Sequence, residues 1–83
     1  MFKREKLQEV ITVHKLYLNA HPGSARAAFN LGKAYQETGD YDTALKYLRQ
    51  SMQLLPKDQS LSEFSRHFIQ TTAPKLMDEI DSP

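Results

Sequence analysis

The sequence predicts an all-α fold: a fragment of a helical solenoid built from antiparallel helix-turn-helix pairs, with about four to five helices in all. Three observations predict it. Pro22 and Pro56 stand 34 positions apart, and each closes an apolar segment of helical period, Leu18-Asn19-Ala20-His21-Pro22 against Leu54-Leu55-Pro56. Between the prolines, two shorter periodic stretches are split by Thr38-Gly39-Asp40. Within those stretches, Ala28, Leu31 and Tyr35 fall on one helical face, as do Tyr41, Ala44, Leu45, Leu48 and Met52.

The elements follow in order. Residues from Phe2 to about Ala20 read as an amphipathic helix, with Leu7, Val10, Ile11, His14, Tyr17 and Leu18 at helical spacing. Pro22-Gly23 breaks the chain, and Ser24 is placed to cap a second helix from about Ala25 to Thr38, because its hydroxyl can accept from a first-turn N–H that has no helical partner. Gly39 suits the left-handed residue that closes this helix, and Asp40 caps the third, from about Tyr41 to Leu55. A connection so short forces the pair antiparallel. After Pro56, Ser60-Leu61-Ser62-Glu63 has the form of a capping box, opening a helix with Leu61, Phe64, Phe68 and Ile69 inward. Pro74 is expected to end or kink that helix. Residues 75–81 then form one more short helix through Leu76, Met77 and Ile80, and the Asp81-Ser82-Pro83 tail frays.

The chain has 83 residues, 40% hydrophobic and 25% charged, with net charge +1. That is enough for one small domain over residues 1–83, with a core that is thin for lack of length. Cysteine is absent, which excludes disulfide scaffolds, thiolate metal sites and thiol catalysis. Eleven basic residues against ten acidic ones give no basic excess toward nucleic acid. No segment reads as a membrane span or a signal peptide, an expectation that favours the cytoplasm.

Residues 25–58 resemble a tetratricopeptide repeat, whose 34-residue unit follows the pattern Trp-x2-Leu-Gly-x2-Tyr, Ala-x3-Phe, Pro. Here it reads Ala28-x2-Leu31-Gly32-x2-Tyr35, Ala44-x3-Leu48 and Pro56, with Gly39-Asp40-Tyr41 at the turn and no insertion. Ala28 for the aromatic and Leu48 for Phe are the two departures, and both stay apolar. In this register residues 2–22 look like the second helix of a partial repeat, with Val10 at the Ala44 position. Residues 59–81 begin like a third unit, but Arg66 stands at the Gly32 position and Asp78 at the Ala44 position, which suits a capping helix and tail. Gly32 costs about 1 kcal/mol in a helix relative to Ala, so close approach of the two backbones at Gly32 and Ala44 is the expected compensation. Ser51, where the family usually has Ala, serves the contact with the following helix.

Catalysis finds little support. His14, His21 and His67 make no i, i+4 pair and no His-Glu-x-x-His spacing, and His14 occupies a packing position, so no metal site is expected. Asp40 and Asp42 sit at a helix start, where carboxylates favour the positive end of the helix dipole. There is no nucleophile elbow and no glycine-rich phosphate loop, so no catalytic or cofactor-binding residues are assigned.

Surface recognition remains. In the resembling family, the first helices of successive units line a concave groove that receives a partner peptide or helix. The positions that match here are Arg26, Phe29, Lys33, Gln36 and Glu37. Phe29 lies off the core stripe, which leaves it as an exposed anchor or a contact to the preceding helix. The family's carboxylate clamp is not supported: Lys33 stands where its Asn would be, Phe29 replaces its Lys, and Asn30 is out of register. The resemblance therefore implies a non-catalytic protein-interaction module whose partner is a protein or peptide. The alternative is a structural or oligomerisation appendage of a larger protein, since such half-unit tails resemble those after some bacterial hydrolase domains. Stacked repeats usually need about three units for stability, so a second copy covering the N-terminal helix and the Leu76-Met77-Ile80 edge is also expected, giving a homo-oligomer.

Overall fold

A computed structural model describes residues 4–81, and Phe2, Ser82 and Pro83 of the expected termini lie outside them. The fold is all-α, with four helices among the described residues: α1 (Arg4–Ala20), α2 (Ala25–Thr38), α3 (Tyr41–Leu54) and α4 (Glu63–Asp81). α2 is the hub and touches the other three. α1 packs on α2 alone, while α4 packs on α3 and, at one end, on α2.

Local chemistry sets the α2–α3 hairpin. The Ser24 hydroxyl accepts from the Ala27 N–H at 3.1 Å, satisfying one first-turn donor. Gly39 takes φ +86°, and its N–H and that of Asp40 donate to the Gln36 and Tyr35 carbonyls, closing α2. The Asp40 carboxylate then faces the Thr43 N–H at 3.4 Å, opening α3. The expected close approach is present: a Cβ built on Gly32 would lie 2.9 Å from Leu48 Cγ, 3.0 Å from the Leu48 nitrogen and 3.1 Å from the Ala44 carbonyl oxygen. Two of those three atoms are backbone, so a side chain at 32 can be admitted only by moving α3.

The core has two parts that meet along α2. On one side Ile11 and Leu18 of α1 pack on Ala27, Ala28, Leu31 and Ala34. Tyr35 borders this side and stacks on Tyr47, ring centroids 5.7 Å apart at 4°. On the other side Phe29, Leu48 and Leu55 pack on Ile69 and Ala73 of α4, with Leu76, Met77 and Ile80 half-buried beside them. Ser51 is fully buried, and its hydroxyl donates to the Leu48 carbonyl at 2.6 Å.

Five expectations need correction. α4 runs unbroken through Pro74, so residues 75–81 are its last turns and not a separate helix. A proline inside a helix removes one hydrogen bond and crowds the preceding turn. Here Ile69, Ala73, Leu76, Met77 and Ile80 recur on one face, and burial on both sides of the proline holds the helix together. The Ser60–Glu63 capping box does not form, because Ser60 is taken by Asp58 and Ser62 caps the helix, accepting from the Ser65 N–H at 3.1 Å. Phe64 is 80% exposed and Phe68 44% exposed, because Ile69, Ala73, Leu76, Met77 and Ile80 form the face of α4 turned to the core and leave Phe64 off it and Phe68 at its edge. Val10, Tyr17 and Tyr41 are exposed at the edges of their stripes, where no further helix covers them among the described residues. The Leu76-Met77-Ile80 edge, finally, is turned against the α3–α4 core and is not an open face.

Candidate functional site

One face of α2 carries Arg26, Asn30, Lys33 and Glu37 at successive spacings of four, three and four, so they line up along the helix. On either side of this stripe the neighbouring helices stand off and leave a hollow. Between α2 and α4, a hollow of about 250 Å³ is lined by Arg26, Phe29, Asn30, Phe64, Phe68 and Ile69. Between α2 and α1, a second of about 250 Å³ is lined by Val10, His14, Asn30, Lys33, Ala34 and Glu37. Asn30 lines both, so the two hollows adjoin on either side of it, and together they are called the furrow across α2.

The residues expected at a groove are divided by the fold. Arg26, Lys33 and Glu37 are exposed along the furrow. Gln36 is half-buried and lines neither hollow. Phe29 is neither an exposed anchor nor a contact to the preceding helix. It is 3% exposed and packs in the core between α3 and α4, its ring edge-on to Phe68 of α4 at 5.8 Å and 82°. Phe29 thus forms the floor of the first hollow, and Phe64 and Phe68 form its wall. Those two phenylalanines and Asn30 are the site residues that sequence reasoning did not assign. Their signal was faint: an aromatic pair four apart on α4 reads as core until the helix is known to be rotated.

A polar clasp positions α4 against the furrow. Asp58 is buried, and one carboxylate oxygen accepts from the Ala25 N–H at 2.9 Å, a donor at the start of α2 that has no helical partner. Its other oxygen accepts from the Ser60 hydroxyl at 2.6 Å and the Ser60 N–H at 3.0 Å. The Arg66 guanidinium donates to the Leu55 and Asp58 carbonyls, tying the first turns of α4 to the end of α3. The Ser60 hydroxyl first, then the Ala25 and Ser60 N–H groups and the Arg66 charge, hold the Asp58 carboxyl below its ordinary 3.8, against the opposing effect of burial.

Among the described residues no group of three or more His, Asp or Glu side chains is placed to hold a metal ion. Among the described residues no helix is long and apolar enough to cross a membrane. Chemically, the furrow offers aromatic surface, an amide, two cations and one carboxylate. A family model described as tetratricopeptide repeat matches residues 4–57, covering α1 to α3. No curated protein and no solved structure matches the chain.

Proposed function

The chain belongs to the tetratricopeptide repeat family, and we propose that it is a non-catalytic interaction module that binds a peptide or helix of a partner protein in the furrow across α2. Repeats of this family generally mediate protein–protein interaction, and typically act as scaffolds without enzymatic activity. In this reading residues 25–58 are the complete unit, residues 2–22 the second half of a preceding one, and α4 the cap. The observation that carries it is the exposure of Phe64 and Phe68 beside Arg26: large aromatic surface left in water next to a guanidinium is the composition of a binding hot spot. Selecting a displayed peptide library on the chain tests it. Binders that lose affinity for a Phe64→Ala, Lys33→Glu double variant are expected. Binders indifferent to both changes, or none at all, would remove the furrow as the site.

A second reading has its own support. Val10, Val13, Leu16 and Tyr17 are exposed along α1, Val13 and Leu16 at 62% and 64%. Val10 stands 34 residues before Ala44, which α2 buries completely. An α1 face left bare where the equivalent α3 face is covered suits oligomerisation, or attachment to a larger protein as a structural appendage. Sedimentation of the chain against Val13→Asp checks it: self-association that the substitution abolishes supports this role, and a strictly monomeric chain up to millimolar concentration rejects the homo-oligomer.

A further inference from the structure

We propose that the furrow is polarised, and that its end at Arg26, Phe64 and Phe68 takes a large apolar side chain flanked by a carboxylate, so that the ligand is an acidic peptide carrying an aromatic or aliphatic anchor. This rests on the groove reading above and adds the chemistry of what is bound.

Three features lead there. Phe64 contributes little to the core. Ile69 and Ala73 make the buried contacts of α4, while Phe64 keeps 80% of its surface in water, so its apolar area is free to be buried by something else. Arg26 is the one charged side chain lining this hollow, and it sits at the rim of an aromatic floor and wall. A guanidinium there favours a carboxylate held in its planar fork, the more so as an apolar anchor displaces water around the pair. Beyond it, Asn30 lies half-buried between the two hollows, with an amide that can both donate to and accept from a peptide group. Lys33 adds a second cation one turn further, and Glu37 ends the row with the opposite sign. The sequence of charges along α2 is therefore plus, neutral, plus, minus. That order fits an acidic, apolar segment over Arg26 and Lys33 and directs any basic end of the ligand toward Glu37.

The test is a titration of the whole chain, followed residue by residue by NMR, with two capped peptides: acetyl-Ser-Asp-Phe-Asp-Ser-amide and acetyl-Ser-Lys-Phe-Lys-Ser-amide. The acidic peptide is expected to move the amide signals of Arg26, Asn30, Phe64 and Phe68 and to bind about tenfold more tightly than the basic one. Arg26→Glu should reverse that preference. Phe64→Ala should weaken both peptides about tenfold while leaving the thermal melt where it was. Equal binding of the two peptides, or a preference that survives Arg26→Glu, would overturn the charge rule. Absence of binding by both would overturn the proposal as well. In each case binders selected from the library that still depend on Phe64 and Lys33 leave the groove reading standing, and their absence removes it too.

Discussion

Position 32 and position 66 are one repeat length apart, and the molecule uses them in opposite ways. At Gly32 the missing side chain lets α3 come so near that a Cβ would strike its backbone. At Arg66 the longest side chain of the set reaches back to the Leu55 and Asp58 carbonyls and ties α4 to the loop before it. The first position closes the α2–α3 hairpin, because a helix with glycine there accepts a close antiparallel neighbour. The second carries an arginine where the first has glycine, and supplies polar bonds to the preceding loop instead.

The contrast can be broken from the packing side first. Gly32→Leu is expected to cost about 3 kcal/mol or more, since both side chain and backbone of α3 must retreat. That is a large share of the roughly 4–12 kcal/mol a chain of this size holds. A thermal or denaturant melt checks it, and an unchanged midpoint would contradict the seam. Next comes the clasp: Asp58→Ala leaves the buried Ala25 N–H without its acceptor, for an expected loss of about 1–3 kcal/mol by denaturant titration.

The same carboxylate makes stability pH-dependent with a definite sign. Its folded pKa lies below the unfolded 3.8, so in that range the unfolded chain binds more protons. Its contribution is therefore complete above about pH 5 and is lost as pH falls through 3.8 toward the folded value. Asp58→Asn should flatten this part of the stability–pH curve, and a variant as acid-sensitive as the parent would refute the assignment. Arg66→Ala, removing two bonds at a half-buried site, is expected to cost about 1 kcal/mol, again read from a melt. The smallest effect belongs to Phe64→Ala, within about 0.5 kcal/mol of the parent, because that ring is mostly in water already. Its stability cost would rise well above this if Phe64 were a core residue, as its spacing in the sequence suggests.

Part of the candidate site was legible in advance. Arg26, Lys33 and Glu37 share a face of α2 for reasons of helical spacing alone. Phe29 was not legible, because its destination depends on α4, which arrives about forty residues later and covers it. Asn30 is not legible as a groove residue because its place comes only from the two hollows that flank it, and Phe64 is not because apolar periodicity does not report which way a helix is turned.

What the sequence by itself determined are the features set over short spans of chain: the Ser24 and Asp40 caps, the left-handed Gly39, the stripe on α2 and the antiparallel α2–α3 hairpin. The first four depend on hydrogen bonds or side-chain spacing inside one or two turns, and the hairpin on a connection too short for any other pairing, so the partners are fixed by chain connectivity. Only the tertiary structure decided that α4 passes through Pro74, that Asp58 caps a helix starting 33 residues before it, and that Phe29 turns inward while Phe64 turns out. Those outcomes compare burial against distant neighbours with the local cost of a lost bond or an exposed ring, and that comparison has no value until the neighbours are in place.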